Sequence, residues 1–244
     1  LKGSRRGSPA CAIPSRALPL DARVKELRKP EIRAAILSEK VDDNPKLPLG
    51  RVVQNFTDMF QLGNPPDYEQ SPENTIAARA LAAGVSPQAL AYDLMLEDNG
   101  RGRLYLALAN LRDGSLDAVG QMLRHPDIVL GLGDGGAHVG TICDASYSTY
   151  ALMHWARDRA AGRFSIAEIV HKMTGATAAI MGLDDRGVIA IGKQADLNVI
   201  DLARLSLYAP EIHDDLPAGG KRLIQRAQGY VATIKSGRVA YREG

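Results

Sequence analysis

Two apolar runs within one stretch of about thirty residues constrain this chain more than any other feature. RLYLALANL, starting at Arg103, and IVLGLG, starting at Ile128, flank a DGS turn and an amphipathic stretch from about Leu116 to Arg124. His125-Pro126 ends that stretch. Strand, helix and strand at this spacing predict a βαβ unit, and right-handed crossovers make its two strands parallel. Strands this apolar are buried on both faces. The pattern is α/β, and a barrel and a doubly wound sheet both satisfy it.

The second run leads into DIVLGLGDGGAHVG, which supports two incompatible readings. Gly131, Gly133 and Gly136 have the G-x-G-x-x-G spacing of a dinucleotide loop. Such a loop needs a helix at its third glycine and an acidic residue about 20 positions on, after another strand. Here AHVGTICDASY follows without helical periodicity, and Asp158 falls inside a helical stretch. Context therefore removes the nucleotide reading. The other reading puts Asp134, the first polar residue after IVLGLG, at the C-terminal end of a buried parallel strand, where barrel enzymes gather their catalytic groups. The residues alone leave open whether Asp134 does chemistry or only bonds local amides in a turn.

Helix signals are dense on either side. Pro30 opens EIRAAILSEK, Ser71-Pro72 opens PENTIAARALAA up to Gly84, and Ser86-Pro87 opens PQALAYDLMLED; the last two predict an αα pair. RVVQNF is a short strand candidate. Residues 148–161 read as a helix with Leu152, Trp155 and Ala156 on one face. Ser165 with Glu168 predicts a capping box for SIAEIVHKM, and TGATAAIMGL adds a further helix. From Gly187 the pattern changes to short strands, GVIAI, ADLNVID, GYVATIK and GRVAYR, which predict a small antiparallel β unit.

With 45% hydrophobic and 24% charged residues the chain can build an ordinary core. A formal charge of +2 makes no electrostatic case for nucleic acid or a membrane surface. The two cysteines, Cys11 and Cys143, form no zinc module and no disulfide framework, which suits a cytoplasmic protein. The first residues, LKGSRRGSPACAIPSRALPL, have transit-peptide composition, but three prolines break any amphipathic helix; the expectation is a chain beginning mid-protein or in a loop. Among the histidines, His125 reads as a helix-end residue, His154 and His171 as structural, and His213 as solvated in the polar loop HDDLPAGG. Only His138 lies near the candidate carboxylate. No HxH, HExxH or GxSxG occurs, so one carboxylate and one imidazole cannot complete a site of three or four ligands.

GLGDGGAHVG, STYALMHWARDR and TGATAAIMGLDDRGVIAIGKQADLNVIDL resemble the C-terminal part of an amidohydrolase-superfamily enzyme, nearest the N-acyl-D-amino-acid deacylase (D-aminoacylase) branch. PEIRAAIL, NPPDYEQSPENTIAARA and YDLMLED upstream, and HDDLPAGGKRLIQRAQGYVATIKSGRVAYREG downstream, extend the resemblance from about residue 19 to 244. The run G-x-I-x-x-G-x-x-A-D-L-x-V-x-D, Gly187 to Asp201, resembles the superfamily's small β-sandwich.

The resemblance implies the C-terminal part of a metal-dependent (β/α)8 TIM-like barrel at 19–182 and a small β-sandwich portion at 183–244, after an irregular segment 1–18. It makes Asp134 the last-strand aspartate that contacts the metal-bound water and shuttles protons, with Zn²⁺ or another divalent ion as cofactor. His138 matches the family's histidine in the same loop, which either supports the groups around the metal or faces the substrate, and Gly135 becomes substrate-binding. The local pattern is more often Ser-Asp-Gly-Gly; Gly133 replaces the serine here. The remaining metal ligands are expected upstream of Leu1, so the chain alone is expected to hold little zinc and show no turnover. The implied reaction is hydrolysis of an N-acyl-D-amino acid, a small molecule, as part of a longer enzyme. A catalytically inactive fragment or interaction module, and a cyclic amidohydrolase of hydantoinase or dihydroorotase type, are the competing expectations.

Overall fold

The computed structural model describes residues 18–39, 52–131, 133, 138–141 and 144–243. They fall into two compact units: Leu1–Gly63 with Asp67–Ser115, and Asn64–Pro66 with Leu116–Gly244. Among the described residues no helix is long and apolar enough to cross a membrane.

In the first unit, α1 (Leu20–Leu27) and α2 (Pro30–Ser38) precede β1 (Met59–Gln61), α3 (Ile76–Ala83), α4 (Pro87–Met95) and β2 (Leu104–Leu106). Pro30 stands at the start of α2 as its preset φ predicts. The α3/α4 pair forms as expected, and Ser86 caps α4 by accepting from the Ala89 amide at 3.2 Å. At α3 the cap differs from the sequence expectation. Pro72–Asn74 closes a single 3₁₀ turn onto the Ser71 carbonyl, and the chain restarts at Thr75, whose hydroxyl accepts from the Ala78 amide at 3.1 Å. The core is Met59, Ile76, Ala91 and Leu94, with Phe56, Leu90, Leu104 and Leu106 packed around it.

Two strand expectations fail in a connected way. Residues 52–56 of RVVQNF form turns, with the Asn55 amide bonded to the Val52 carbonyl, and the strand begins only at Met59. RLYLALANL contributes just Leu104–Leu106, and it pairs antiparallel with β1, Met59 facing Leu106 and Gln61 facing Leu104. β2 is half-buried, and Leu108 beyond it is 71% exposed. Residues 128–131 of IVLGLG are not a strand. The Lys172 ammonium bonds the Ile128 carbonyl at 2.8 Å, so a side chain takes the place of a ladder partner. The predicted parallel βαβ unit is thus corrected: among the described residues all paired strands are antiparallel.

The second unit is built on α5 (Asp117–Arg124) and α6 (Tyr147–Tyr150), the latter continuing as a π-helical stretch over Ala151–Asp158. Next come α7 (Ile166–Met173) and α8 (Gly175–Ile180). The π geometry shows in the Arg159 amide bonding back five residues to His154 at 3.0 Å. Trp155, 3% exposed, is the centre of the packing. It meets Phe164 edge to face at 5.9 Å, carries the Arg159 guanidinium over its ring at 4.8 Å, and lies where a Cβ on Gly120 of α5 would come within 3.1 Å. Leu152 and Ile169 complete this layer. The capping box forms as read: the Ser165 hydroxyl accepts from the Glu168 amide while the Glu168 carboxylate accepts from the Ser165 amide at 2.7 Å. Those Ser165 bonds hold Glu168 below its ordinary pKa.

The β part of this unit holds β3 (Leu197–Ile200), β4 (Ser206–Leu207), β5 (Glu211–Leu216), β6 (Gly220–Ile224), β7 (Ala227–Gln228), β8 (Tyr230–Lys235) and β9 (Arg238–Arg242). A three-stranded antiparallel sheet runs β3-β8-β9, beside a β4-β7 pair and a β5-β6 ribbon. GVIAI is not a strand, and Ile189 and Ile191 stand fully or nearly fully exposed at 89% and 107%. HDDLPAGG, read as a loop, supplies the end of β5, the turn and the first residue of β6 instead. Adjacent charges paired across it, Lys221 with Asp214 at 2.9 Å and Arg222 with Asp215 at 2.6 Å, stand where apolar alternation would mark a strand.

The relocated cap gives a direct check. Thr75→Ala should cost about 1 kcal/mol of stability in urea unfolding. Ser71→Ala should stay within about 0.5 kcal/mol. The reverse order would return the cap to Ser71.

Candidate functional site

Asp134 and Gly135 lie outside the described residues, so what the structure adds concerns the two ends of the segment that carries them. At the entry, Gly133 is pressed against the turn Asp144–Ser146 that precedes α6. A Cβ at this position would lie 2.7 Å from the Asp144 carbonyl oxygen, 2.7 Å from Cδ1 of Tyr147 and 3.0 Å from Cα of Ala145. Two of those three neighbours are backbone atoms, which cannot swing aside. The glycine found where the family pattern usually has serine thus has a local cause: the start of α6 occupies the side-chain volume.

At the exit, the chain from His138 to Thr141 turns back on itself. The His138 carbonyl accepts from the Thr141 amide at 2.8 Å and from its hydroxyl at 3.1 Å. One residue on, the Val139 carbonyl accepts from the Leu223 amide of β6 at 2.7 Å. His138 has φ +46°, and the residue is exposed.

Further bonds tie the start of α6 to the β part. Ser146 donates its hydroxyl to the Gln225 side-chain carbonyl, and the Gln225 amide group donates to the Tyr208 carbonyl at 2.9 Å. The Thr149 hydroxyl, on a buried residue, pairs with the Tyr230 hydroxyl at 2.7 Å. At the far end of the helix, Arg157 donates to the carbonyls of Leu202 and Leu205. The segment around Asp134 is therefore bounded by well-held structure on both sides. Sequence reading missed Thr141, Tyr147, Leu223 and Gln225. The one available signal was a hydroxyl residue three places after His138, the spacing of a side-chain-supported turn.

The other histidines take structural places. His125 turns its Nδ1 to accept from the Asp127 amide at 3.3 Å, and so is directed past the end of α5. His154 stacks on Tyr150 at 4.7 Å and meets Trp155 edge-on. His171 packs by Gly175, where a Cβ would come within 3.1 Å of its Nδ1. His213, expected in a solvated loop, sits in β5 and pairs with Glu211 at 3.1 Å. In the first unit a cleft of about 230 Å³ is lined by Arg28, Arg33, Tyr92, Asp93, Leu96 and Glu97. Its groups hold one another: Arg33 forks onto Asp93 at 2.7 and 2.8 Å, and Arg28 bonds the Leu96 carbonyl at 2.8 Å.

The close approach at Gly133 is measurable. Gly133→Ala should destabilise the protein by about 1–3 kcal/mol, the usual cost of overpacking against a backbone that cannot yield. Gly131→Ala, whose Cβ would meet nothing within 4 Å, should stay within about 0.5 kcal/mol. Equal effects in chemical denaturation would remove the packing argument.

The profile of the amidohydrolase family matches residues 14–241, nearly the whole chain. No curated protein and no solved structure gives a match. The family consists of metal-dependent hydrolases acting on C–N bonds, on a TIM-barrel-like fold. The described residues close no barrel, and among them no three His, Cys, Asp or Glu side chains gather as a metal site requires. The extent of the match decides the assignment, and the chain belongs to the amidohydrolase family.

Proposed function

We propose that this chain carries part of the active site of an N-acyl-D-amino-acid deacylase, with Asp134 as its proton-transferring carboxylate. The observation that carries the reading is the family match over residues 14–241. Within the matched span, Asp134 is the first polar residue after the run IVLGLG. Support comes from the two ends of its segment, one packed on the turn before α6 and the other bonded to β6, an arrangement that suits a preorganised site.

In this reading water adds to the acyl carbonyl, and Asp134 takes the proton that the water gives up. Asp134 then returns that proton to the amide nitrogen as the C–N bond breaks, leaving a carboxylic acid and a free D-amino acid. His138 and Gly135 face the substrate. Zn²⁺ is the ion proposed for the enzyme, with Asp134 contacting it; the described residues supply no metal site of their own. The proposal also assigns 19–182 to the barrel and 183–244 to the small β-sandwich, a cytoplasmic location, and a small-molecule partner in place of nucleic acid or membrane.

The test is turnover of N-acyl-D-amino acids by the full-length, zinc-supplemented protein, with N-acyl-L-amino acids and hydantoin-type cyclic amides alongside. Asp134→Asn should lower kcat on the order of 10²–10⁴-fold while unfolding like the parent. Retained turnover in that variant would sink the assignment. Cyclic amides as the sole substrates would move the reaction to the ring-opening class. Absence of any turnover would leave an interaction module of the same family.

A further inference from the structure

In the first unit, α1 and α2 are fastened to their surroundings in two different ways. α1 is seated by packing. Val24 is 4% exposed, and a Cβ on Gly100 would come within 2.4 Å of its Cγ2 and 3.3 Å of Cδ1 of Leu20. Two bonds from the end of α4 fix the far end of α1. The hydroxyl of buried Tyr92 donates to the Leu27 carbonyl at 2.7 Å, and Arg28 donates to the Leu96 carbonyl at 2.8 Å.

α2, by contrast, buries none of its residues. It is tied to α4 by the fork of Arg33 onto Asp93, at 2.8 and 2.7 Å, whose side chains are 36% and 54% exposed. An ion pair this open to water holds weakly, and salt screens it.

The backbone supplies a joint between the two helices. The hydrogen bonds of α1 end with the Lys29 amide on the Glu26 carbonyl at 3.0 Å, and those of α2 begin with the Arg33 amide on the Lys29 carbonyl at 2.9 Å. Lys29 is extended, with ψ 131°, and its side chain does not cap α2. Its ammonium pairs instead with Glu26 of α1 at 2.6 Å. Pro30 has no N–H to bond back to α1. One extended residue thus joins the helices, and turning about it breaks neither ladder.

We infer that α2 is a strap, latched on α4 by the Arg33–Asp93 fork, which swings about Lys29 while α1 stays seated. Its release opens the cleft of about 230 Å³, because Arg33 is the wall that α2 gives to it. A nine-residue helix set free in water unwinds, since isolated helices shorter than about 12–15 residues are marginal. Release therefore exposes the α2 amides to solvent.

The experiment is amide hydrogen exchange on the whole chain, comparing residues 31–38 of α2 with 20–28 of α1. In Asp93→Ala the α2 amides should exchange about two- to fivefold faster than in the parent, the scale of one exposed ion pair, with α1 unchanged. Raising salt to about 1 M, where the screening length is about 3 Å, should bring the parent to the rate of Asp93→Ala and leave that variant as it was. Arg33→Lys keeps the charge but cannot fork, and at low salt it should follow Asp93→Ala.

Parental exchange of α2 in Asp93→Ala, or in the parent at high salt, overturns the latch. Equal acceleration of α1 and α2 overturns the joint at Lys29. Parental exchange in Arg33→Lys overturns the fork, because charge alone would then hold the strap.

Discussion

The second unit depends on how Trp155 is seated. Its indole fills the space left by Gly120, meets Phe164 edge to face, and is covered by the Arg159 guanidinium, which is itself held by Asp117 at 2.6 Å. An aromatic ring of this size buries more apolar area than any other side chain. With Trp155 fixed, the helix that carries it is fixed in rotation and height. Its first turn then meets Gly133, and its last turn brings Arg157 to the Leu202 and Leu205 carbonyls. One buried ring thus sets where the glycine-rich segment begins and where the β part attaches.

From that seat the candidate site is assembled mainly through backbone groups. Gly133 is held by exclusion of volume, Val139 by a strand amide, and His138 by its own turn. Side-chain contacts reinforce the frame at Ser146–Gln225 and Thr149–Tyr230. Holding a loop by its main chain leaves side chains available for chemistry, which is how loops on a rigid scaffold come to carry function. The surface ion pairs of the β5-β6 ribbon act differently. They are exposed and screened, so they contribute to strand register more than to stability. Arg222 bonding to Asp215 holds that carboxyl below its usual pKa, a local effect on an exposed group.

Much of the local structure was legible. Ser86 and the Ser165/Glu168 box declared their helices because a capping hydroxyl acts within three residues of its own position. Pro30 did so through its fixed φ. Thr75 was hidden by Ser71-Pro72, which has the same signature but spends it on a 3₁₀ turn. The ribbon was hidden because charges pair across its strands where an apolar alternation would have marked them. Patterning that depends on a partner strand cannot be seen in one strand alone. RLYLALANL and IVLGLG failed for the same reason in reverse. Their apolar character permits burial in a parallel pair, but pairing needs a neighbour, and in the described residues β1 and Lys172 took those places.

By itself the sequence determined the helices with local caps, the change to β structure after Gly187, and a singular glycine-rich stretch carrying Asp134 and His138. These are properties of short segments, governed by dihedral preferences and capping bonds that need no distant partner. Only the tertiary structure decided that Gly133 must lack a side chain, that His138 sits at positive φ, and that a strand more than eighty residues later in the numbering, at Leu223, holds the loop. Those facts arise from volume excluded and hydrogen bonds formed between segments far apart in the chain. No local pattern encodes which segments will meet.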